Sequence, residues 1–164
     1  MDERRALAGD LRRIVASRLL DALDILFGPG ELAGAGGRLR DLLEARSQAW
    51  ADVLCGDDDR EAAFLAIRLV AALYPGDAPF DPPAAWWDTP FGRAVARRAG
   101  HPAATAVPVS VAAAMLGITR QGVHDLARRH KLDRGPDGAI STASIQARLS
   151  RGRGDLPAAT LRRQ

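Results

Sequence analysis

The sequence is poor in the residues that build disulfide frameworks and metal centres. Its 164 residues include one cysteine, Cys55, and three histidines. An internal disulfide framework and a cysteine-rich zinc site are therefore both excluded. No run of about 18 residues is continuously apolar, and the charged N-terminus lacks the apolar core of a signal peptide. These absences predict a folded protein of the reducing cytoplasm with no membrane-spanning segment.

Groups suited to catalysis are also scarce. No two histidines stand at the H-x-x-x-H spacing of metal sites, and Cys55 has no histidine near it in sequence. The glycine-rich stretch 34–37 has no preceding strand and no following Gly-Lys-Ser/Thr, so it predicts a flexible connector rather than a phosphate-binding loop. The aspartates at 57–59 precede a predicted helix and are expected to cap it rather than to bind a metal. The sequence predicts a protein that is not an enzyme and needs no cofactor.

The first 88 residues predict a helical bundle. Apolar residues recur at three- and four-residue steps over 5–27, 39–54 and 60–74, and the glycine and proline residues at 28–30 end the first helix. The third helix is apolar on most sides, which predicts a central, well-covered position. The buried stripe predicted for the first helix comprises Leu7, Leu11, Ile14, Val15, Leu19, Ala22, Leu23 and Leu26. We expect the apolar faces of these helices to join two copies as a homodimer.

A proline-dense stretch at 75–88 follows the bundle. Its three aromatic residues, Phe80, Trp86 and Trp87, favour an ordered strap across the bundle, because a free linker would leave three rings in water. Stacking of the two tryptophans on bases is an alternative without other support in the sequence.

A short arginine-bearing helix is predicted next, over 91–99. Thr89 is its expected N-cap, and Pro90 suits its first turn. Arg93 and Arg97 lie one turn apart and share a face. They either extend a basic surface toward a nucleic acid or form a solvated helix face.

The segment from Val109 to Leu132 predicts two short helices joined by a tight turn. Ser110 is the expected N-cap of the first helix, and Gly117 is its expected left-handed C-cap. Thr119 is the expected N-cap of the second helix, 120–130. Two caps this close leave room only for a sharp turn, as in a helix-turn-helix.

The second helix of this pair separates a buried stripe from a polar face. The residues predicted to be buried at the corner are Leu116, Ile118, Val123, Leu126 and Ala127. At about 100° per residue, Gln121, His124 and Arg128 share the opposite face. These side chains can bind base edges, while Arg120 at the helix start is placed for a phosphate or a base. A helical hairpin with a solvated polar face is the alternative.

These residues resemble the helix-turn-helix of MerR and excisionase-like bacterial regulators. The matching positions are Ala113, Leu116, Gly117, Ile118, Thr119, Arg120, Gln121, Val123, Lys131 and Leu132. Residues 133–140 are similar to the short β-wing of that group, and Ser141 is expected to cap a last helix, 142–149. The resemblance covers residues 107–151 and implies a winged helix-turn-helix that binds duplex DNA. The predicted wing differs from the pattern of that group, because it carries Asp133 and Asp137 with only one arginine. This composition disfavours a strong contact between the wing and DNA phosphates.

The charge distribution agrees with a nucleic-acid partner for the C-terminal segment. Residues 1–105 carry 13 basic residues against 16 acidic ones, whereas residues 106–164 carry ten basic residues against four aspartates. The positive excess therefore coincides with the segment that resembles a helix-turn-helix.

We therefore predict a mainly α chain in three parts: a helical region at 1–88, an arginine helix with a helix-turn-helix domain at 89–149, and a flexible basic tail at 150–164. The predicted function is that of a small bacterial transcriptional regulator, cytoplasmic and associated with the nucleoid, which reads the major groove of double-stranded DNA with helix 120–130. The predicted DNA-binding residues are Thr119, Arg120, Gln121, His124, Arg128, Lys131, Arg93 and Arg97. One alternative is an architectural or excisionase-like protein with little sequence preference. The other is an antitoxin-like module whose acidic helical half binds another protein.

Overall fold

The computed structural model describes residues 2–28 and 30–151. As predicted, the chain is mainly α-helical. Its elements are α1 (Glu3–Val15), a π-helical turn (Ala16–Leu20), α2 (Asp21–Phe27), α3 (Ala33–Cys55), α4 (Asp59–Leu73), α5 (Ala84–Trp87), α6 (Pro90–Arg98), β1 (Ala106–Val107), α7 (Val109–Leu116), α8 (Arg120–Arg128), β2 (Ile140–Ser141) and α9 (Thr142–Arg151). Of the predicted tail, residues 150 and 151 end α9 and the others lie outside the described residues. Within the described residues no helix is long and apolar enough to cross a membrane.

The central helix is α6, which contacts α1, α3, α4, α5, α7 and α9. Phe91 and Val95 on it are fully buried. The Asp10 carboxylate on α1 accepts a hydrogen bond from the backbone N–H of Phe91 at 3.0 Å, which ties the first helix to the start of α6. The sequence pattern had predicted this central position for the helix at 60–74. That prediction is wrong, because α4 buries one face only and leaves Phe64 and Ile67 exposed.

The first helix is not one continuous α-helix. The π-helical turn at 16–20 inserts an extra residue into the helical repeat and so rotates the following residues away from the face that α1 buries. Leu19 and Leu26, which the simple periodicity predicts to be buried, are therefore exposed, whereas Leu20 packs against the core. Gly28, with φ of 86°, ends α2 as predicted.

The glycine-rich stretch at 34–37 is not a connector, because it forms the beginning of α3. Glycine costs a helix interior about 1 kcal/mol relative to alanine, and here the long helix that follows is well anchored. Leu43 and Leu54 are buried in the core, and Arg40 pairs with Asp24 of α2 at 2.9 Å. Tertiary packing thus outweighs the local preference of these glycines.

The proline-dense stretch packs as an ordered strap, as predicted. The ring centroids of Phe80 and Trp86 lie 5.2 Å apart, and those of Trp86 and Trp87 lie 4.9 Å apart, each pair edge to face. Trp86 Nε1 donates to the Tyr74 hydroxyl at 2.9 Å, and Trp87 is fully buried. The tryptophans therefore serve the core, and Trp87 is not available for stacking on bases.

The backbones of α5 and α6 approach each other closely at Gly92. One methyl group added there should therefore have a large effect on the stability of the fold. A Cβ on Gly92 would clash with the backbone oxygen of Trp86 and lie 2.8 Å from the Cα of Trp87. We expect Gly92→Ala to lower the free energy of unfolding by about 2 to 3 kcal/mol, because backbone atoms must move to admit the methyl group. Urea denaturation measures this.

The matched control is Gly9→Ala in α1. A Cβ at Gly9 meets no atom within 4 Å. This variant is expected to be more stable by about 0.5 to 1 kcal/mol, since alanine favours the helix. Equal effects of the two substitutions would contradict the close approach of α5 and α6.

His101 is expected to make the stability of the fold depend on pH. Its Nδ1 accepts hydrogen bonds from the backbone N–H groups of Ala103 at 3.2 Å and Ala104 at 2.9 Å, which requires an unprotonated nitrogen. Burial lowers the pKa of His101 below its ordinary value of 6.5, against a smaller opposing effect of Asp81. Above that pH the ring is neutral in both states, and below it the unfolded chain takes up the proton more readily.

We therefore expect the Tm to fall as the pH is lowered from about 7.5 to about 5.5. His101→Asn keeps an acceptor for the same N–H groups but has no titratable group. The decrease in Tm should accordingly be smaller in this variant. A parallel decrease in both proteins, followed by differential scanning calorimetry, would contradict a role of His101.

Candidate nucleic-acid interface

The first helix of the predicted pair, α7, begins at Val109, two residues earlier than expected. Its N-cap is Pro108, and Ser110 lies in the first turn without a capping hydrogen bond, so the predicted cap at Ser110 is wrong. The backbone is held extended at Val107 by pairing in β1, and Pro108 suits the entry to a helix because its φ is already restricted. The helix therefore starts directly after the strand.

The predicted turn between the two helices is confirmed. Gly117 adopts the left-handed conformation, with φ of 66° and ψ of 33°. The next backbone N–H group, that of Ile118, donates to the Ala113 carbonyl oxygen at 3.0 Å and so closes the end of α7. Thr119 Oγ1 then accepts a hydrogen bond from the Gly122 N–H at 3.0 Å and caps α8, as predicted.

The inner side of α8 is anchored by Val123, which is fully buried. Leu116, Leu126 and Ala127 are half-buried around it. Ile118 was expected to close the corner, but this prediction is wrong, because it remains 39% exposed. The helix ends at Arg128, two residues before the predicted end at residue 130. The φ of 54° at His130 lets the Lys131 N–H donate to the Leu126 carbonyl oxygen at 2.9 Å.

A short β-hairpin follows α8. Val107 of β1 pairs with Ile140 of β2, and Arg134 forms an isolated antiparallel bridge with the same Ile140. A tight turn with Gly138 at φ of 86° joins the two arms of the hairpin. Ser141 Oγ accepts from the Ser144 N–H at 3.4 Å at the start of α9, as predicted.

The polar face of α8 is organised by Asp125, a residue absent from the predicted site. Gln121 Nε2 donates to Asp125 Oδ1 at 3.1 Å, and Arg128 makes an ion pair with the same oxygen. The hydrogen bond from Arg128, followed by that from Gln121, lowers the pKa of Asp125, so this carboxylate is charged at neutral pH. Its spacing of four residues after Gln121 and three before Arg128 was the signal that sequence reasoning missed.

His124 is less accessible than predicted. It is half-buried, and its Nδ1 lies 3.5 Å from Nη1 of Arg134 in the hairpin. Arg134 in turn donates from Nε to the Gly138 carbonyl oxygen at 3.1 Å. The one arginine of the hairpin is thus folded back against its own turn and toward α8.

Exposed cations stand at both ends of α8. Arg120 lies at the start of the helix, and Arg129 and Lys131 follow its last turn. None of the three forms an ion pair with another residue of the part of the chain that the structure describes. Their charges are therefore available to an anionic partner.

The three arginines of α6 have different surroundings. Arg93 lines a surface cavity of about 420 Å³ together with Arg120 and Ser110, so the fold brings these two arginines to the same place. Asp88, in the same cavity, lies 4.0 Å from the Arg93 guanidinium. Arg97 pairs with Glu3 of α1 at 2.7 Å. Arg98 is buried and holds the end of α3.

The acidic stretch at 57–59 is a helix cap, as predicted. Asp58 accepts from the Glu61 N–H at 2.9 Å at the start of α4. Among the described residues no group of three histidine, cysteine or acidic side chains is placed to hold a metal ion.

Comparisons of the chain with family models, curated proteins and solved structures find no match. Its function is therefore inferred from geometry and charge.

Proposed function

We propose that the chain is a sequence-specific duplex-DNA-binding protein, a small transcriptional regulator whose helix α8 reads the major groove. The observation that carries the proposal is the polar face of α8, where Gln121, Asp125 and Arg128 form one hydrogen-bonded row. A capped helix that projects from a tight helix–turn–helix corner has the dimensions to enter the major groove. Gln121 and Arg128 supply the donors and acceptors that base edges recognise.

The cations at the helix ends support the same orientation. With α8 lying in a groove, Arg120 at one end and Lys131 at the other are positioned near the two phosphate backbones that border it. Arg93 adds a second guanidinium beside Arg120. Contacts of this kind set the register of the helix on the duplex, whereas the row along α8 selects the sequence.

The hairpin has a smaller role in this proposal. Asp137 lies in its turn, Asp133 lies at its base opposite Ser141, and Arg134 is engaged with Gly138 and His124. A phosphate near the turn would meet the Asp137 carboxylate and only one cation, which is already engaged. We propose that the wing braces α8 and contributes little to DNA affinity.

Two copies are needed for tight binding in this account. One helix–turn–helix module covers little DNA surface, so dimers on paired half-sites are the usual arrangement. Exposed apolar side chains on α2 and α4 support self-association through the N-terminal helices. The proposed partners are therefore double-stranded DNA and a second copy of this chain.

Selection from a randomised duplex library on the immobilised full-length protein tests the proposal. We expect a defined motif that contains at least one G·C pair, because Arg128 suits the O6 and N7 of guanine. Retention of DNA without any enriched motif would contradict sequence-specific reading and favour an architectural role. Failure to retain DNA at low salt would overturn the proposed function altogether and favour a protein partner.

A further inference from the structure

The α2 helix carries an exposed apolar surface with acidic neighbours. Ile25, Leu26 and Phe27 are 82%, 76% and 55% exposed. The same short helix carries Asp21 and Asp24. We call these five residues the α2 knob. Three consecutive large apolar side chains in water are unfavourable and mark an interaction surface.

A second apolar surface lies between α3 and α4. A cavity of about 230 Å³ is lined there by Trp50, Val53 and Phe64, and its charged lining residues are Arg46, Arg68 and Glu61. Phe64 is 66% exposed. Within the described residues neither Arg46 nor Arg68 forms an ion pair. We call these six residues the α3/α4 groove; its two arginines outnumber its one carboxylate, so its net charge is positive.

We propose that the α2 knob of one copy docks into the α3/α4 groove of a second copy. The inference rests on the proposed self-association and assigns the surfaces that carry it. A knob facing a knob would oppose two Asp21 carboxylates, since Asp24 already pairs with Arg40. A groove facing a groove would oppose two surfaces of net positive charge. Only the knob–groove combination joins apolar surfaces and opposite charges at the same time.

The position of both surfaces along α3 favours a closed dimer. The knob is tied to the N-terminal half of α3 by the Asp24–Arg40 ion pair, and the groove involves its residues 46–53. These points are about ten residues apart, or about 15 Å along the helix. With the two α3 helices antiparallel across a two-fold axis, each knob lies opposite the partner's groove, so both contacts form together.

The exposed leucines of α3 fit this arrangement. Leu39 and Leu42 lie on either side of Arg40, N-terminal to the groove, and are 38% and 55% exposed. With Arg46, Trp50 and Val53 they recur at three- and four-residue steps, so they share one stripe of α3. An antiparallel partner helix would cover that stripe.

Sedimentation velocity of the full-length protein, with two charge variants, tests the inference. We expect the unaltered protein to be a dimer at about 50 µM and to form no larger species. Leu26→Arg places a cation in the knob, where it faces Arg46 and Arg68 of the partner groove. Phe64→Glu places a carboxylate in the groove, where it faces Asp21 of the partner knob. Each variant alone should dimerise about 30-fold more weakly or worse.

Mixing the two variants distinguishes this dimer from other arrangements. In the mixed dimer one knob–groove contact is unaltered and the other joins the two introduced charges of opposite sign. The equimolar mixture should therefore regain dimers. Both altered positions are exposed, and circular dichroism checks that the variants fold. Ala143→Glu, at an exposed position of α9, is the matched control and should stay dimeric.

Each other result overturns the inference. Self-association that persists in either variant, or a mixture that stays monomeric, would exclude the knob–groove contact while self-association itself stands. Species larger than a dimer would exclude the two-fold closure. A monomeric unaltered protein would overturn self-association as well. Fluorescence anisotropy on DNA is measured separately, so none of these results is confused with a failure of DNA binding.

Discussion

Replacing Arg98 with methionine is expected to lower the free energy of unfolding by about 3 kcal/mol. Arg98 is 6% exposed; its Nε donates to the Leu54 carbonyl oxygen at 2.8 Å and its Nη2 to that of Gly56 at 2.6 Å. These oxygens lie at the C-terminal end of α3, where helix carbonyls have no partner within the helix. Methionine retains the apolar stem but leaves both carbonyls without the guanidinium. Urea denaturation followed by circular dichroism measures the loss.

The neighbouring Arg97 provides the control for this experiment. It pairs with Glu3 at 2.7 Å near the surface, where an ion pair contributes less than about 1 kcal/mol. Arg97→Met removes the same charge from the same helix. If the two variants lost similar stability, the buried Arg98 hydrogen bonds would not be what holds the end of α3.

Replacing Asp125 with alanine is expected to lower the preference of the protein for its selected duplex over random DNA by about tenfold or more. The Asp125 carboxylate bonds to both Gln121 and Arg128, so in the proposed complex it would fix the orientation from which the Arg128 guanidinium meets guanine. Without it, both side chains must be ordered on binding. In the proposed complex this carboxylate would lie near the phosphates, so its loss should at the same time strengthen binding to random DNA.

Two further variants make this prediction specific. Arg128→Ala should lose the preference for guanine and also bind random DNA more weakly, because it removes a cation. Asp137→Ala removes a carboxylate from the hairpin turn and should leave the ratio of the two affinities unchanged. Fluorescence anisotropy on both duplexes gives these ratios. An unchanged ratio in Asp125→Ala would exclude the positioning role of this residue.

Local signals in the sequence predicted the corner between α7 and α8 well. The left-handed Gly117 and the cap at Thr119 depend on a few adjacent residues, and both are confirmed. The N-caps of α6 at Thr89 and of α4 at Asp58 were predictable for the same reason. The predicted N-cap at Ser110 was wrong, because the pairing of the preceding strand, a long-range contact, decides where α7 begins.

Long-range packing explains the other differences in the fold. Nothing in the periodicity of 5–27 marks the π-helical turn that rotates α2, and the glycines at 34–37 are helical because the rest of α3 is anchored. The three arginines of α6 look alike in the sequence. Only the fold separates the buried Arg98 from the surface-paired Arg97 and from Arg93 beside Arg120.

The candidate site was predictable in its position and less so in its internal contacts. Angular position along α8 placed Gln121 and Arg128 together, but the hydrogen bonds that join both to Asp125 require side-chain geometry. The approach of Arg134 to His124 depends on the path of the hairpin, which periodicity does not predict.

Fluorescence anisotropy of the full-length protein on its selected duplex and on random duplex DNA, across a salt series, tests whether α8 reads DNA sequence. We expect both affinities to fall as salt rises, because cations on the protein release counterions from the phosphates. The selected duplex should bind about a hundredfold more tightly at about 150 mM salt. Equal affinity for the two duplexes at every salt concentration would contradict sequence reading by α8.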